Sequence, residues 1–135
     1  MPDALKSNRQ ASGRRTRSWP RWVFRVTSTV AAILLFDQAV FAGQFLGGAY
    51  GSLHSHRENA TYAGIAVLIS SVAAVLVRWP GGGPWWPIAA SLGMFVLIGL
   101  QISLGFQRAI AIHVPLGVLT ITLAAALAVW AWRRK

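Results

Sequence analysis

Two histidines in this chain end the same short pattern, which occurs twice in the sequence. In each copy a glutamine is followed by a glycine four residues later and by a histidine twelve residues later. The two copies are Gln44, Gly48 and His56 and, 57 residues further on, Gln101, Gly105 and His113. Because neutral imidazole is the commonest metal ligand among side chains, these histidines are the first candidates for a metal or metal-cofactor site.

The composition of the chain indicates the class of protein to which the two histidines belong. Its 135 residues are 55% hydrophobic and 12% charged, and cysteine is absent. Such a composition is typical of an integral membrane protein, and the lack of cysteine excludes disulfides and thiolate metal sites. The net charge of +10 would suggest nucleic acid in a soluble protein. Here the basic residues lie mostly outside the apolar runs, so membrane topology explains them and no nucleic-acid partner is expected.

Four apolar segments are each close to the length at which a helix crosses a membrane. They are about 23–50, 60–77, 87–106 and 114–132. Only helices are expected, because backbone groups in lipid must be hydrogen-bonded within their own segment. We therefore predict an all-α fold, a four-helix transmembrane domain over residues 23–135. The polar, basic residues 1–22 are predicted to form a disordered cytoplasmic tail.

The sequence contains a turn between the second and third segments and a possible cleavage site within the first. The stretch RWPGGGPWWP, residues 78–87, predicts a tight turn, because glycine frees the backbone and proline ends helices. An alternative interpretation makes residues 1–42 a signal peptide that is cleaved after Val-Phe-Ala. The apolar run continues past that point, which favours a retained first helix.

Lysine and arginine are distributed unevenly about the four segments. With four spans, all of the 13 basic residues except Arg57 and Arg108 fall on one side. Positive charge concentrates on the cytoplasmic side, so we predict a multi-pass protein of the cell membrane with both termini cytoplasmic. The seven tryptophans lie near the same boundary, as in an interfacial aromatic belt. The partner expected from this distribution is the lipid bilayer, with anionic headgroups as the contact of the basic first twenty residues.

The repeated pattern falls at equivalent places in two helix pairs. Each copy runs from the end of an odd-numbered span into the start of an even-numbered one, which predicts a bundle built from two parallel two-helix repeats. His56 and His113 would then lie at the same depth on the non-cytoplasmic side, on diagonal helices. Two histidines that face each other across a bundle core can hold a planar metal cofactor, and we expect haem b.

The other members of the pattern have two interpretations each. Gly48 and Gly105 would let a flat macrocycle approach the backbone, but small residues also serve simple helix packing in lipid. Gln44 and Gln101 could bond to each other or to the cofactor, or they could join neighbouring helices.

The residues beside His56 also have more than one possible role. His54 competes with His56 as the ligand, and the register of the repeat favours His56. Arg57 could pair with a haem propionate or remain a solvated charge.

Asp37 lies near the middle of the first apolar segment. An acid there costs roughly 2.5–3.5 kcal/mol on insertion scales, so Asp37 is expected to face the bundle interior. It could serve a proton path or bind a polar substrate. It could also be structural, through hydrogen bonds to Ser70, Ser71 or Thr120, and the sequence leaves these roles open.

The histidine segments resemble those of a known family. LHSHRENATYAG, residues 53–64, resembles the start of an even-numbered helix in haem A synthase, where a His-Arg pair supplies a haem ligand. LQISLGFQRAIAIH, residues 100–113, resembles that family's Q-x-x-LG helix end and the ligand histidine that follows it. The resemblance covers about residues 26–132, one four-helix half of that family. The chain is similar as well to small four-helix membrane proteins of bacteria.

The resemblance implies His56 and His113 as axial haem ligands, with Arg57 beside one of them. It does not extend to the family's oxidative chemistry. Leu53 stands where that family has a glutamate, three residues before the His-Arg pair, and the cysteine pair of its outer loop is absent. Oxidation of a haem methyl group is therefore not expected.

The sequence predicts a small b-type haem protein of the membrane that transfers electrons and is not an enzyme. Two axial histidines leave no open position on the iron, which favours electron transfer over oxygen chemistry. A quinone or a periplasmic protein is the redox partner expected for a site near the outer face. The alternative is a non-haem accessory subunit or small transporter component that uses Asp37.

Overall fold

The computed structural model describes residues 18–134, and they form four long helices. Helix α1 spans Trp19–Leu46, α2 spans Ser52–Arg78, α3 spans Trp86–Phe106 and α4 spans Ile110–Arg133. No strand occurs in this part of the chain, so the predicted all-α class is confirmed. All four helices are long and apolar enough to cross a membrane.

The helices run alternately up and down and close into a ring. Each helix packs against its neighbours in the chain, and α1 also packs against α4. Within residues 18–134 the backbones of the diagonal pairs, α1 with α3 and α2 with α4, make no contact. This is the up-down-up-down arrangement of a four-helix bundle. We call the end with the first residues of α1 and the last of α4 the terminal end, and the opposite end the histidine end.

The helix bounds differ from the predicted spans at the histidine end. Helix α1 stops at Leu46, whereas the apolar segment was predicted to run to residue 50, because Gly48 has a positive φ of 99° in the turn. Helix α2 begins at Ser52, before the predicted residue 60, since its first two turns are polar but still helical. At the terminal end α1 begins at Trp19, inside the predicted tail over 1–22. The rest of that tail prediction, residues 1–17, lies outside the described residues.

The buried core is concentrated in the half of the bundle nearest the termini. Alanines dominate the buried face of α2, so neighbouring helices approach it closely. The larger buried side chains include Phe24, Leu35, Val67, Met94 and Leu127. Between residues 36 and 62 only Asn59 is buried, and between 99 and 119 no residue is. The histidine half of the bundle is therefore the more open half.

Polar contacts join α1 to α4 at the terminal end. Arg25 donates from Nε to the carbonyl oxygen of Ala131 over 3.1 Å. Its guanidinium lies against two indole rings, 5.2 Å from the centroid of Trp22 and 5.5 Å from that of Trp132. The indole of Trp132 in turn donates to Thr29 Oγ1 over 2.9 Å. Cation–π and hydrogen-bond contacts together close the ring of helices here.

The link between α2 and α3 is the predicted tight turn. The backbone N–H groups of residues 81–83 donate to carbonyl oxygens of residues 76–78, so the link folds back on the end of α2. Gly82 has a positive φ of 67°, and the Trp79–Pro80 peptide bond is cis. A side chain at Gly81 or Gly83 would collide with Val77, so glycine is required at both positions by close packing.

Candidate functional site

The structure brings His56 and His113 together at the histidine end. His56 lies in the first turns of α2 and His113 in the first turn of α4, and their ring centroids are 6.2 Å apart. The planes of the two imidazoles are inclined at 68°. The backbones of α2 and α4 do not touch, so the two side chains span the diagonal of the bundle.

Both imidazoles are held in the same way by the backbone of the preceding helix. His56 Nδ1 lies 3.0 Å from the carbonyl oxygen of Gln38 on α1. His113 Nδ1 lies 3.1 Å from the carbonyl oxygen of Gln101 on α3. A carbonyl oxygen can only accept, so Nδ1 carries the hydrogen in both contacts, and Nε2 is the nitrogen that a neutral ring would offer to a metal. Histidines that bind metals are commonly oriented in this way, by a carbonyl group that accepts a hydrogen bond from the other ring nitrogen.

The spacing of the two rings suits a shared metal centre. Two imidazoles bound through Nε2 on opposite sides of one metal, with metal–nitrogen bonds of about 2.0 Å, have ring centroids roughly 6.3 Å apart. The observed separation is 6.2 Å. Opposed axial coordination constrains the metal–nitrogen axis but not the angle between the two ring planes. The inclination of 68° is therefore compatible with it.

Two glutamine side chains at this site have buried polar atoms without partners. Gln38 Nε2 and both polar atoms of the Gln101 amide are buried and make no hydrogen bond to any described residue. Unsatisfied buried amides of this kind call for a partner such as water or a ligand. Gln38 was missed by the sequence analysis, which considered Gln44 instead. The available signal was a second glutamine, one position after Asp37, inside the same apolar segment.

Asn59 supports His56 and was also missed. Its amide donates from Nδ2 to the carbonyl oxygen of Leu34 over 2.8 Å, and the residue is only 6% exposed. His56 and Asn59 are three residues apart on one face of α2, and both bond to α1 carbonyl groups that are four residues apart. Together they fix α2 against α1 at the level of the imidazole.

The repeated spacing does not give equivalent surroundings to its glutamines. Gln44 is exposed in the last turn of α1 and accepts a hydrogen bond from Ser52 Oγ over 2.9 Å. Gln101 is partly buried, and the two glutamines do not bond to each other. The turn between α1 and α2 is longer than the turn between α3 and α4. Residues 57 positions apart in the sequence therefore cannot be structurally equivalent both before and after these turns.

The glycines of the pattern also differ. Gly105 lies in α3 beside the imidazole of His113, where a Cβ atom would stand 3.4 Å from Cε1. Gly48 lies in the turn after α1, and a Cβ atom there would meet no atom within 4 Å. Only Gly105 therefore borders a histidine ring, and the requirement for glycine at 48 comes from its positive φ.

Of the residues beside His56, His54 points away from the pair. Its side chain is 78% exposed, and Nε2 lies 3.3 Å from Oε1 of Glu58 one turn later. The Arg57 guanidinium lies 5.9 Å above the ring of Phe106 at the end of α3. Arg57 is exposed, so its N–H groups are accessible at the histidine end.

Asp37 is partly buried on α1, one position before Gln38. The three hydroxyl groups considered as its partners do not donate to it. Ser71 and Thr120 donate to carbonyl oxygens of their own helices, and Ser70 Oγ has no hydrogen-bond partner among the described residues. Of the roles left open for Asp37, the structural one through these hydroxyl groups has no hydrogen bond behind it among the described residues.

The fold and the composition of its helices define a four-helix integral membrane protein. No family model matches the chain, no curated protein is significantly similar to it, and no solved structure matches its fold.

Proposed function

We propose that this chain is a membrane haem protein that holds haem b between His56 and His113 and transfers electrons. The observation that carries the proposal is the pair of imidazoles 6.2 Å apart, each with Nδ1 committed to a backbone carbonyl group. An arrangement that fixes the tautomer and the spacing of both rings is what two axial ligands require. The resemblance of the histidine segments to haem A synthase agrees with it.

The surroundings of the pair fit a flat cofactor. The histidine half of the bundle has few buried side chains, and the residue of α3 that lies beside the His113 ring is a glycine, Gly105. Gln38 and Gln101, whose carbonyl oxygens contact the rings, also carry buried amide atoms without hydrogen-bond partners among the described residues. Arg57, exposed at the same end, is the cation that would pair with a propionate.

Bound haem would supply a one-electron couple, and His56 and His113 would hold it. The carbonyl groups of Gln38 and Gln101 hold the imidazoles through Nδ1, which would leave Nε2 of each ring to bind the metal. With the basic residues on the cytoplasmic side, the site lies near the outer face of the membrane. A quinone in the bilayer and a protein outside it are the two partner classes within reach of that position.

An absorption spectrum of the detergent-purified protein, produced with added haem, tests the proposal. We expect a Soret band and, after dithionite, a sharp α band, with b-type haem identified by the pyridine haemochrome. Carbon monoxide should leave the reduced spectrum unchanged, because both axial positions are filled.

Three outcomes would contradict this assignment. A carbon monoxide adduct formed at once would mean an open axial position. A colourless protein that carries copper or zinc by elemental analysis would mean that the imidazoles bind a bare metal ion. A colourless, metal-free protein would favour the non-haem alternative, in which Asp37 carries the function.

Substitutions at Gly105 test the fit of the cofactor beside His113. Gly105→Ala should retain haem, because its Cβ atom would make an ordinary contact 3.4 Å from the imidazole. Gly105→Leu should displace the ring and weaken haem binding by roughly tenfold or more, as loss of a ligand-orienting contact does. Gly99→Leu is the matched control on the same helix, since nothing lies within 4 Å of a Cβ atom there. Equal haem affinity in the two leucine variants would rule out a cofactor against Gly105.

A further inference from the structure

Arg108, in the turn between α3 and α4, has a backbone conformation that is unfavourable for a residue with a side chain. Its φ is 57°, and within residues 18–134 it is the only residue other than glycine with a positive φ. In the left-handed region the Cβ atom of an L-residue crowds the following carbonyl oxygen, which glycine avoids. An arginine at this position therefore carries a cost that a glycine would not.

The turn after α1 shows that glycine suits this position. Gly48, with a φ of 99°, stands in the same place after α1 as Arg108 does after α3. In both turns the left-handed residue donates to the carbonyl oxygen three residues earlier, and the next residue donates to the carbonyl oxygen five residues earlier. This is the Schellman motif, whose left-handed position is usually glycine. Strained residues concentrate at functional sites, so the arginine indicates that its side chain is used.

Arg108 lies close to a second cation and to the histidine pair. The Arg57 guanidinium is 5.9 Å from the centroid of the Phe106 ring, and Phe106 is two residues before Arg108. Arg57 directly follows His56, and Gly105, next to Phe106, borders the imidazole on α4. Both arginines and Phe106 are exposed. The end of α3 thus brings two guanidinium groups to the part of the histidine end that adjoins both imidazoles.

Neither of these guanidinium groups has a carboxylate partner in the part of the chain that the structure describes. The acidic residues within 18–134 are Asp37 and Glu58, and Glu58 lies 3.3 Å from His54. A planar guanidinium binds a carboxylate through paired N–H donors. Two exposed guanidinium groups side by side therefore suit a ligand that carries two carboxylates.

We propose that Arg57 and Arg108 each bind one propionate of the haem, so that the carboxylate edge of the cofactor lies at the outer ends of α2 and α3. This assignment rests on the proposed function, because it concerns how the same histidine pair holds its cofactor. It adds Arg108 as a binding residue and decides which edge of the macrocycle faces outward. Glycine at position 108 would relieve the backbone but supply no cation, which accounts for the arginine.

Titration of the full-length apoprotein in detergent with two macrocycles, followed by the Soret band, tests this assignment. One is haemin, and the other is iron protoporphyrin IX dimethyl ester, whose esterified propionates carry no charge. Arg108→Gln should bind haemin roughly 3- to 10-fold more weakly, because one charge-assisted pair is lost at an exposed site. Its affinity for the dimethyl ester should equal that of the unaltered protein.

Three further variants separate the loss of a propionate partner from other effects. Arg57→Gln/Arg108→Gln should no longer bind haemin more tightly than the ester. Arg133→Gln, which removes a charge at the terminal end, should bind both macrocycles like the unaltered protein. Arg108→Gly should weaken haemin binding as the glutamine variant does. Its apoprotein should nevertheless unfold at the same temperature as the unaltered one or a few degrees higher, because the left-handed strain is removed.

Two results would overturn the assignment of Arg108. The first is an unchanged affinity of Arg108→Gln for haemin. The second is an equal loss of affinity for haemin and for the dimethyl ester, which would indicate a structural or lipid-binding role. If neither macrocycle binds to the unaltered protein, the haem proposal itself fails and this assignment fails with it, so the two failures are distinguishable.

Discussion

Replacing His113 or His56 by alanine is expected to abolish haem retention, with a loss of affinity greater than about 100-fold. Losing an orienting partner costs about 10- to 100-fold in metal affinity, so removal of the ligand itself should cost more. The two imidazoles are equivalent in the structure, each held at Nδ1 by one backbone carbonyl group. The measurement is the ratio of haem to protein after purification and after titration of the apoprotein with haemin.

The control for this experiment is His54→Ala. His54 is 78% exposed and pairs with Glu58, so its removal should leave the haem content and spectrum unchanged. Glycine variants separate a ligand from a structural residue: added imidazole should restore the six-coordinate spectrum to His113→Gly. Haem retained at full occupancy in both alanine variants would eliminate the proposed site.

The second large effect is expected at Gly81, in the link at the other end of the bundle. A Cβ atom at this position would stand 2.5 Å from the carbonyl oxygen of Val77 and 3.1 Å from that of Leu76. Both are backbone atoms at the end of α2, so the link itself must shift. Gly81→Ala should lower the free energy of unfolding by roughly 1–3 kcal/mol, the cost typical of overpacking. Thermal unfolding in detergent, followed by circular dichroism, measures it.

Two other glycines calibrate that measurement. Gly82 has a φ of 67° but open space around it, so Gly82→Ala should cost only the left-handed strain of about 1–2 kcal/mol. Gly93 is helical, and nothing lies within 4 Å of a Cβ atom there. Gly93→Ala should therefore be neutral or stabilising. If Gly81→Ala unfolds at the same temperature as Gly93→Ala, the link is not closely packed against α2.

The Gly81 prediction depends on a contact that the sequence could not supply. The sequence RWPGGGPWWP predicted a tight turn from the ordinary behaviour of glycine and proline. The same sequence could not show that the three glycines are required for different reasons. Gly81 and Gly83 are packed against Val77, whereas Gly82 needs only its backbone freedom. That distinction depends on how the link folds back on the end of α2.

At the histidine site, too, the sequence predicted the residues but not all of their contacts. The spacing of the repeated pattern was sufficient to select His56 and His113 over His54 as a pair on diagonal helices. It was misleading for the glutamines, because the backbone of Gln38 and not of Gln44 lies beneath His56. The register between α1 and α2 depends on where α1 ends and how long the turn is, and neither follows from a hydrophobic pattern.

What the sequence determined by itself is the class of the protein. Four apolar runs of membrane-spanning length must be helices, because backbone groups in lipid need partners within their own segment. Short turns between them then require an up-down-up-down bundle. The tertiary structure alone decided which polar atoms meet: the 6.2 Å separation of the imidazoles, the carbonyl groups that hold them and the position of Asn59. These contacts depend on the rotation and depth of each helix against its neighbours, which are set by packing across the whole bundle.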